Sequence, residues 1–470
     1  MRYSSTRGQV KNLMFEDAVM MGLADDGGLL VPNELPFVES NLDKWRLLSF
    51  TELSLEIMLL FTSGRIPREE LMSMVKQSYA SFRHPEITPV KSVGKLHILE
   101  LFHGPTFAFK DVALQFLGNL FAFFLRKRNH PLRILGATSG DTGSAAIHGL
   151  RGKQGVDVFM LYPKGRVSAI QERQMTTVLD SNIHNIAVEG SFDDAQGIVK
   201  AIFNDRKFKQ TFHLGSVNSI NWARILAQIV YYFYAWFRVT SDIRERVSFV
   251  VPTGNFGNVL AGYYAKLMGL PIDKLIVGTN ENDILHRFFS RGEYHSTEVK
   301  ETLSPSMDIQ ISSNFERYLY DLTGNSSKQL QLWMDEFEQS GKLTVESNLQ
   351  KKAQQDFASA RVDDEEILSI IRKFHQDHKY LLDPHSAVGV CAAEKIEIRT
   401  PVICLACAHP AKFSMAIRKA LGTEPKLPEE LASLHNLKTR GKTVPADPEA
   451  IKKIMPVSYT HLRAHETPEQ

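Results

Sequence analysis

Val247-Ser-Phe-Val-Val-Pro252 runs into Thr253-Gly-Asn-Phe-Gly-Asn258 and then into Val259-Leu-Ala-Gly-Tyr-Tyr264. An apolar β-branched run, a glycine-rich turn and a helix-compatible stretch follow in direct succession. The same order stands upstream, where Leu132-Arg-Ile-Leu-Gly-Ala137 leads through Thr138-Ser-Gly-Asp-Thr-Gly143 into Ser144-Ala-Ala-Ile147. Glycines let a backbone approach an anion closely, and the free N–H groups opening a helix add donors and a positive dipole end. Neither turn fits G-x-x-x-x-G-K-[ST], and neither has the G-x-G-x-x-G spacing of a dinucleotide site. Each is either a plain strand-to-helix connection or an anion cradle without a nucleotide signature.

The alternation extends to both sides. Between about 95 and 280, the strand-like runs KLHILEL, LRILGA, VDVFMLY, IHNIAVE, TFHLGSV, VSFVVP and KLIVGT alternate with helix-like ones such as VSAIQERQMTTVLD and NWARILAQIVYYFYAWF. Such a pattern implies right-handed βαβ units with helices on both faces of a largely parallel sheet, and ligands at the carboxyl ends of the strands. The expected fold is therefore α/β and doubly wound. Residues 1–80 read as a small, mostly helical leading domain, and 81–425 as the main region. Within the latter, about 285–380 turns polar and helical and reads as an insertion. The sheet pattern resumes with DPHSAVGVCAAEK and PVICLACAHPAKF.

Chemistry enters with His103-Gly-Pro-Thr-Phe-Ala-Phe-Lys110-Asp111. A single lysine sits among Phe107, Ala108 and Phe109. Desolvation there disfavours the ammonium form, and a neutral amine attacks an aldehyde to form a Schiff base. On its own the segment equally suits a lysine laying its stem along an apolar surface. The two turns downstream change that balance: an anionic cofactor that also needs a lysine amine is pyridoxal 5′-phosphate.

HGPTFAFKD, GATSGDTGSAA, SINWARILAQ, PTGNFGN and AHPAKF, in this order, resemble threonine synthase of the bacterial and fungal type. The amino-terminal YSSTRG…ADDGGLLVP and the later PSMDIQISSNFER extend the likeness from Arg2 to about Leu421, and the animal threonine synthase-like proteins share most of these motifs. The resemblance implies a tryptophan-synthase-β-like, fold type II enzyme. It would convert O-phospho-L-homoserine and water to L-threonine and phosphate. By the same resemblance Lys110 would carry the cofactor and, once released by substrate, shuttle protons. Gly254, Asn255, Phe256, Gly257 and Asn258 would hold the cofactor phosphate. Ser139, Gly140 and Thr142 would grip the substrate carboxylate, with Asp141 near the ring hydroxyl. Arg166, Ser168, Asn218, Asn221 and Arg224 stand where strand ends and helix starts are expected and are candidates for the substrate phosphate, each equally suited to a structural role.

One position departs from the family. Its usual S-T-A-H-P-A-K-F has a threonine facing the pyridine nitrogen, and here Cys407 stands in that place. A neutral thiol is a weaker partner than a hydroxyl, but like it does not force the ring to be protonated. Alternatives remain open: a phospho-lyase that releases 2-oxobutanoate and ammonia, and a non-catalytic relative that keeps the fold.

Composition sets limits. The 470 residues suffice for two or three domains with substantial cores. A formal charge of +2, with both signs scattered, gives no electrostatic case for nucleic acid or an anionic membrane. The most apolar run, Ile229 to Phe237, is too short to span a bilayer. A cytoplasmic enzyme with a small-molecule substrate, monomeric or homodimeric, is expected. The three cysteines Cys391, Cys404 and Cys407 form no disulfide framework, and Cys404-Leu-Ala-Cys407-Ala-His409 lacks a second ligand pair, so no metal is expected. Residues 426–455 form a carboxyl-terminal segment. After Met455, PVSYTHLRAHETPEQ (456–470) has no apolar period and resembles a translated cloning adaptor; a disordered native tail is the alternative.

Overall fold

The computed structural model describes residues 1–126, 128 and 130–463, with side chains as far as Met455. Residues 464–470, the end of the tail set apart above, lie outside the described residues. The chain divides into two compact units, residues 1–117 with 219–427, and 118–218 with those from 428 onward.

The first unit is built on a six-stranded sheet in the order Phe357–Arg361, Ile272–Thr279, Val247–Pro252, Val402–Ala406, Leu96–Glu100, Val90–Val93. All neighbours are parallel except Val90–Val93, which runs antiparallel to Leu96–Glu100. The inner strands Val247–Pro252 and Val402–Ala406, buried on both faces, read as apolar runs, as central parallel strands do. The helix Pro384–Lys395 packs on Val402–Ala406, Val247–Pro252 and Ile272–Thr279. Ile98, Val250, Ile276, Val388 and Cys404 share one core cluster there. The helix Trp222–Val239 is buried from Trp222 through Phe237, which fits a helix apolar on every side.

The second unit carries an all-parallel, five-stranded sheet in the order Lys442–Pro445, Ile183–Glu189, Val156–Pro163, Leu132–Ala137, Leu214–Gly215. Leu135, Phe159, Ile186, Ile198 and Ile202 form its core with Ile451 and Met455 from the last helix, Pro448–Arg463. The helix Phe192–Asn204 starts at a capping box in which Ser191 and Asp194 each take the other's backbone N–H.

Several elements differ from the sequence reading. The stretch 285–380 is not only helical, because Phe357–Arg361 is an edge strand pairing in parallel with Ile272–Thr279, and Glu293–His295 pairs with Lys342–Thr344. Residues 211–217 contribute only Leu214–Gly215 to a strand; the Asp205 side chain accepts from Phe208 N at 3.0 Å and starts the helix Arg206–Thr211 instead. DPHSAVGVCAAEK is a helix, with Asp383 as its cap and Pro384 at its first turn. The leading segment adds a strand pair, Tyr3–Ser5 with Leu30–Pro32, and joins the first unit. Past Met455 the last helix continues as far as Arg463. Among the described residues no helix is long and apolar enough to cross a membrane.

Candidate active site

Three adjacent parallel strands of the first unit deliver the expected cofactor residues. Val247–Pro252 leads into the 253–258 turn, Val402–Ala406 ends at Cys407, and Leu96–Glu100 leads through a loop to Lys110. Neighbouring parallel strands end on the same side of a sheet, so their carboxyl-terminal connections gather there.

Lys110 is half-buried and opens the helix Lys110–Leu125, with its ammonium 5.9 Å from the Phe109 ring centre. The segment before it is tied to Cys407. Phe109 N donates to Cys407 O at 2.8 Å, and His409 N donates to Phe107 O at 3.1 Å. Asp111 is buried and takes both the Thr106 amide (2.7 Å) and hydroxyl (2.8 Å). Burial pushes its carboxyl up to about 6, against the lowering effect of Thr106 and of the Lys412 and Arg83 charges. Lys412 donates from Nζ to Thr106 O at 2.7 Å and so closes the same turn.

The 254–258 turn is held from outside by residues of PSMDIQISSNFER (305–317), a segment to which the sequence reading gave no site role. Ser312 Oγ donates to Gly254 O at 2.6 Å, and Asn314 N and Nδ2 both donate to Asn255 O at 3.1 Å. Arg317, fully buried, in turn fixes Asn314 Oδ1 at 2.5 Å. With the turn's carbonyls engaged there, the helix Gly257–Leu267 opens from Phe256 in the left-handed region (φ +62°), and no side chain caps it. A Cβ on Gly254 would come within 3.1 Å of Ser306 O and 3.2 Å of Met307 Cα, both backbone atoms that cannot swing away. Asn258 Oδ1 accepts from Tyr231 (2.5 Å) and Tyr232 (3.1 Å), while its buried Nδ2 has no partner among the described residues. Burial raises both tyrosine hydroxyls well above their usual range, so they stay donors. A glycine turn, uncapped helix amides and an orphaned amide make a donor set that suits a phosphate. With a lysine and a thiol gathered nearby, these residues fit pyridoxal phosphate.

Asn221 and Arg224 belong to the first unit as well. Asn221 is fully buried, and its side chain is committed at both ends: Oδ1 takes Ala223 N at 3.0 Å and Nδ2 donates to Val19 O at 2.8 Å. It is the cap of the helix Trp222–Val239. Arg224 is buried in the first turn of that helix, where desolvation lowers its guanidinium to about 10.

The remaining candidates lie in the second unit. Thr138 Oγ1, given no role of its own in the sequence reading, accepts from Gly140 N (3.0 Å) and Gly143 N (2.9 Å) and thereby shapes the 138–143 turn. Gly140 stands at φ +157°, ψ −108°, and a Cβ there would lie 2.6 Å from the Gln171 amide. Gln171 Nε2 donates to buried Asp141 Oδ1 at 2.8 Å, and Ser168 Oγ donates to Gln171 Oε1 at 2.9 Å. Ser168 is thus brought to Asp141 through one intermediary. Ser139 is exposed and Thr142 half-buried. Arg166 and Asn218 are exposed, Arg166 in the turn after Val156–Pro163.

Known proteins resemble this chain over nearly its whole length. Family models match as threonine synthase N terminus over residues 2–79, pyridoxal-phosphate dependent enzyme over 88–348, and threonine synthase, C-terminal, over 386–455. A threonine synthase of Schizosaccharomyces pombe is 50% identical over 459 residues, covering 90% of this chain and 89% of the relative. The structure of a PLP-bound threonine synthase from Brucella melitensis matches with a TM-score of 0.95 at 44% identity, covering 97% of this chain and 99% of the other. That of threonine synthase from yeast matches with a TM-score of 0.93 at 46% identity, covering 98% and 99%. The chain belongs to the threonine synthase family of pyridoxal-phosphate-dependent enzymes.

Proposed function

We propose that Lys110 holds the cofactor and carries the protons in the family's reaction, the conversion of O-phospho-L-homoserine and water to L-threonine and phosphate. This is a lyase reaction of threonine biosynthesis. Bound pyridoxal phosphate supplies the electron sink for charge at the substrate α-carbon. The Lys110 amine takes the proton from that carbon and serves the β-carbon in turn. The amides of the 254–258 turn and Asn258 Nδ2 would grip the cofactor phosphate, and Cys407 would face the ring nitrogen. Ser139, Gly140 and Thr142 would bind the substrate carboxylate, and Gln171 and Ser168 hold the Asp141 side chain meant for the ring hydroxyl. Arg166, Asn218 and Arg224 are the donors for the substrate phosphate. Asn221 acts by capping the helix that bears Arg224.

The observation that carries this assignment is the pairing of Phe107–Phe109 with Cys407–His409, which fixes Lys110 in register with the residue meant for the ring. The enzyme is assigned to the cytoplasm, as a monomer or homodimer acting on a small molecule without nucleic acid or membrane. Incubation with O-phosphohomoserine, with phosphate, threonine and 2-oxobutanoate all measured, tests it. Phosphate matched mole for mole by threonine is the expected result. Phosphate matched by 2-oxobutanoate would mean that the unsaturated intermediate leaves before water adds, and no phosphate at all would mean a non-catalytic relative.

A further inference from the structure

The buried start of the helix Pro384–Lys395 carries three polar side chains that have no part in the roles above. Asp383, His385 and Ser386 are 1%, 4% and 2% exposed. Asp383 Oδ1 accepts the His385 amide at 3.0 Å and His385 Nδ1 at 2.9 Å. Its Oδ2 accepts the Ser386 amide at 3.3 Å and the Ser386 hydroxyl. A carboxylate offers about four acceptor positions, and four donors converge on this one. The constellation is not a nucleophile triad, because Ser386 donates to the carboxylate and no base is aimed at its hydroxyl.

Two arms leave the cluster, and each ends on a backbone amide. Ser386 Oγ accepts from Cys407 N at 3.0 Å. His385, with Nδ1–H given to Asp383, accepts at Nε2 from Ser306 N at 3.2 Å. The carbonyl of that same Ser306 is the 3.1 Å neighbour of the position a Cβ on Gly254 would take. One arm therefore sets the residue assigned to the ring nitrogen, and the other sets the floor under the phosphate turn.

We propose that Asp383, acting through Ser386 and His385, is a positioning residue that fixes the ring-nitrogen contact and the phosphate turn of the cofactor as a single block. The proposal rests on the assignment of Cys407 and residues 254–258 made above. Losing an arm strands a buried amide and lets one contact drift, so it changes how the cofactor is held.

The test strips and refills the purified enzyme with pyridoxal phosphate, following cofactor absorbance, the phosphorus resonance of the bound phosphate, and affinity. Ser386→Ala should weaken cofactor binding about tenfold and alter the visible band or its pH titration, with the phosphorus resonance unmoved. His385→Ala should do the reverse, moving the phosphorus resonance and sparing the band. Asp383→Asn should alter both, and Asp383→Asn combined with Ser386→Ala should cost less than the sum, as expected for one network. Ser386→Thr, which keeps the hydroxyl, should restore wild-type values. If Ser386→Ala lowers only the melting temperature, with affinity and spectra equal to those of wild type and Ser386→Thr, the cluster is a helix cap and the proposal falls. If the wild-type chain itself takes up no pyridoxal phosphate, the failure lies in the assignment beneath the proposal.

Discussion

The amide of Phe109 donates to the carbonyl of Cys407 at 2.8 Å, so the residue before Lys110 and the residue assigned to the ring nitrogen are held by one hydrogen bond. Side chains alone would not keep that register, since a lysine stem has wide rotamer freedom. The backbone is bent to make it: Phe107 sits at φ +59°, a region unfavourable for a bulky residue. The Arg83 guanidinium lies 3.6 Å from the Phe107 ring centre and donates to Gly104 O, which holds the bend in place. Strain of this kind persists where the surroundings over-determine it, as around functional residues.

Lys110→Ala should abolish the absorbance of lysine-bound cofactor near roughly 410–430 nm and with it multiple turnover. The fold should survive, because Lys110 is only half-buried and the turn before it is closed by Asp111, Thr106 and Lys412. Borohydride reduction followed by peptide mapping checks the assignment. A reduced link found on another lysine would move the role away from Lys110.

Cys407→Thr should preserve or raise kcat, since a hydroxyl is the stronger partner for the ring nitrogen at similar volume. The backbone bonds that place residue 407, from Phe109 N and to Ser386 Oγ, do not depend on its side chain. Thr, Ser and Ala variants compared by steady-state kinetics and cofactor spectrum give the answer. Identical values across all three would show that this side chain does not reach the ring.

Asp111 supplies a pH-dependent test. Its folded value of about 6 stands above its ordinary 3.8, so the native state binds the proton more tightly than the unfolded chain. That contribution is complete below about pH 4 and is lost as pH rises through 6. Asp111→Asn titrates nowhere in this range and can still accept from Thr106. Relative to wild type, the variant should therefore gain stability on going from pH 4.5 to 7. Paired melting curves at the two pH values measure the difference, and a constant or falling difference would place the proton elsewhere.

The parts legible in sequence were those whose signal is local. VSFVVP and LRILGA are apolar runs buried on both faces, and their glycine turns announce the helices behind them. Phe357–Arg361 and Lys442–Pro445 escaped because edge strands are short and half-polar, and their pairing partners lie far away in the chain. At the site, Lys110 and the 254–258 turn carry composition signals of their own. Thr138, Gln171, Asn314 and Asp383 are single polar residues whose work is to satisfy a neighbour, and no spacing marks that. The exception is Asp383-Pro384, which reads as a helix cap followed by proline in the first turn and could have signalled the helix that holds Cys407.

The carboxyl end yields the last test, at the residue where the family likeness stops. Ile451 and Met455 are fully buried against Ile198 and Ile202 in the second unit's core, and Lys452 pairs with Asp205 at 2.8 Å. The matched family segment ends at 455. Cutting the chain after Met455 should therefore leave the melting temperature and activity unchanged, since Ile451 and Met455 remain. Met455→Ala in the full-length chain should instead cost about 2–5 kcal/mol, the usual range for emptying a buried methionine site. Thermal melts of the two variants side by side separate the cases. A truncated chain that melts as early as Met455→Ala would show that residues beyond 455 pack against the unit and belong to its fold.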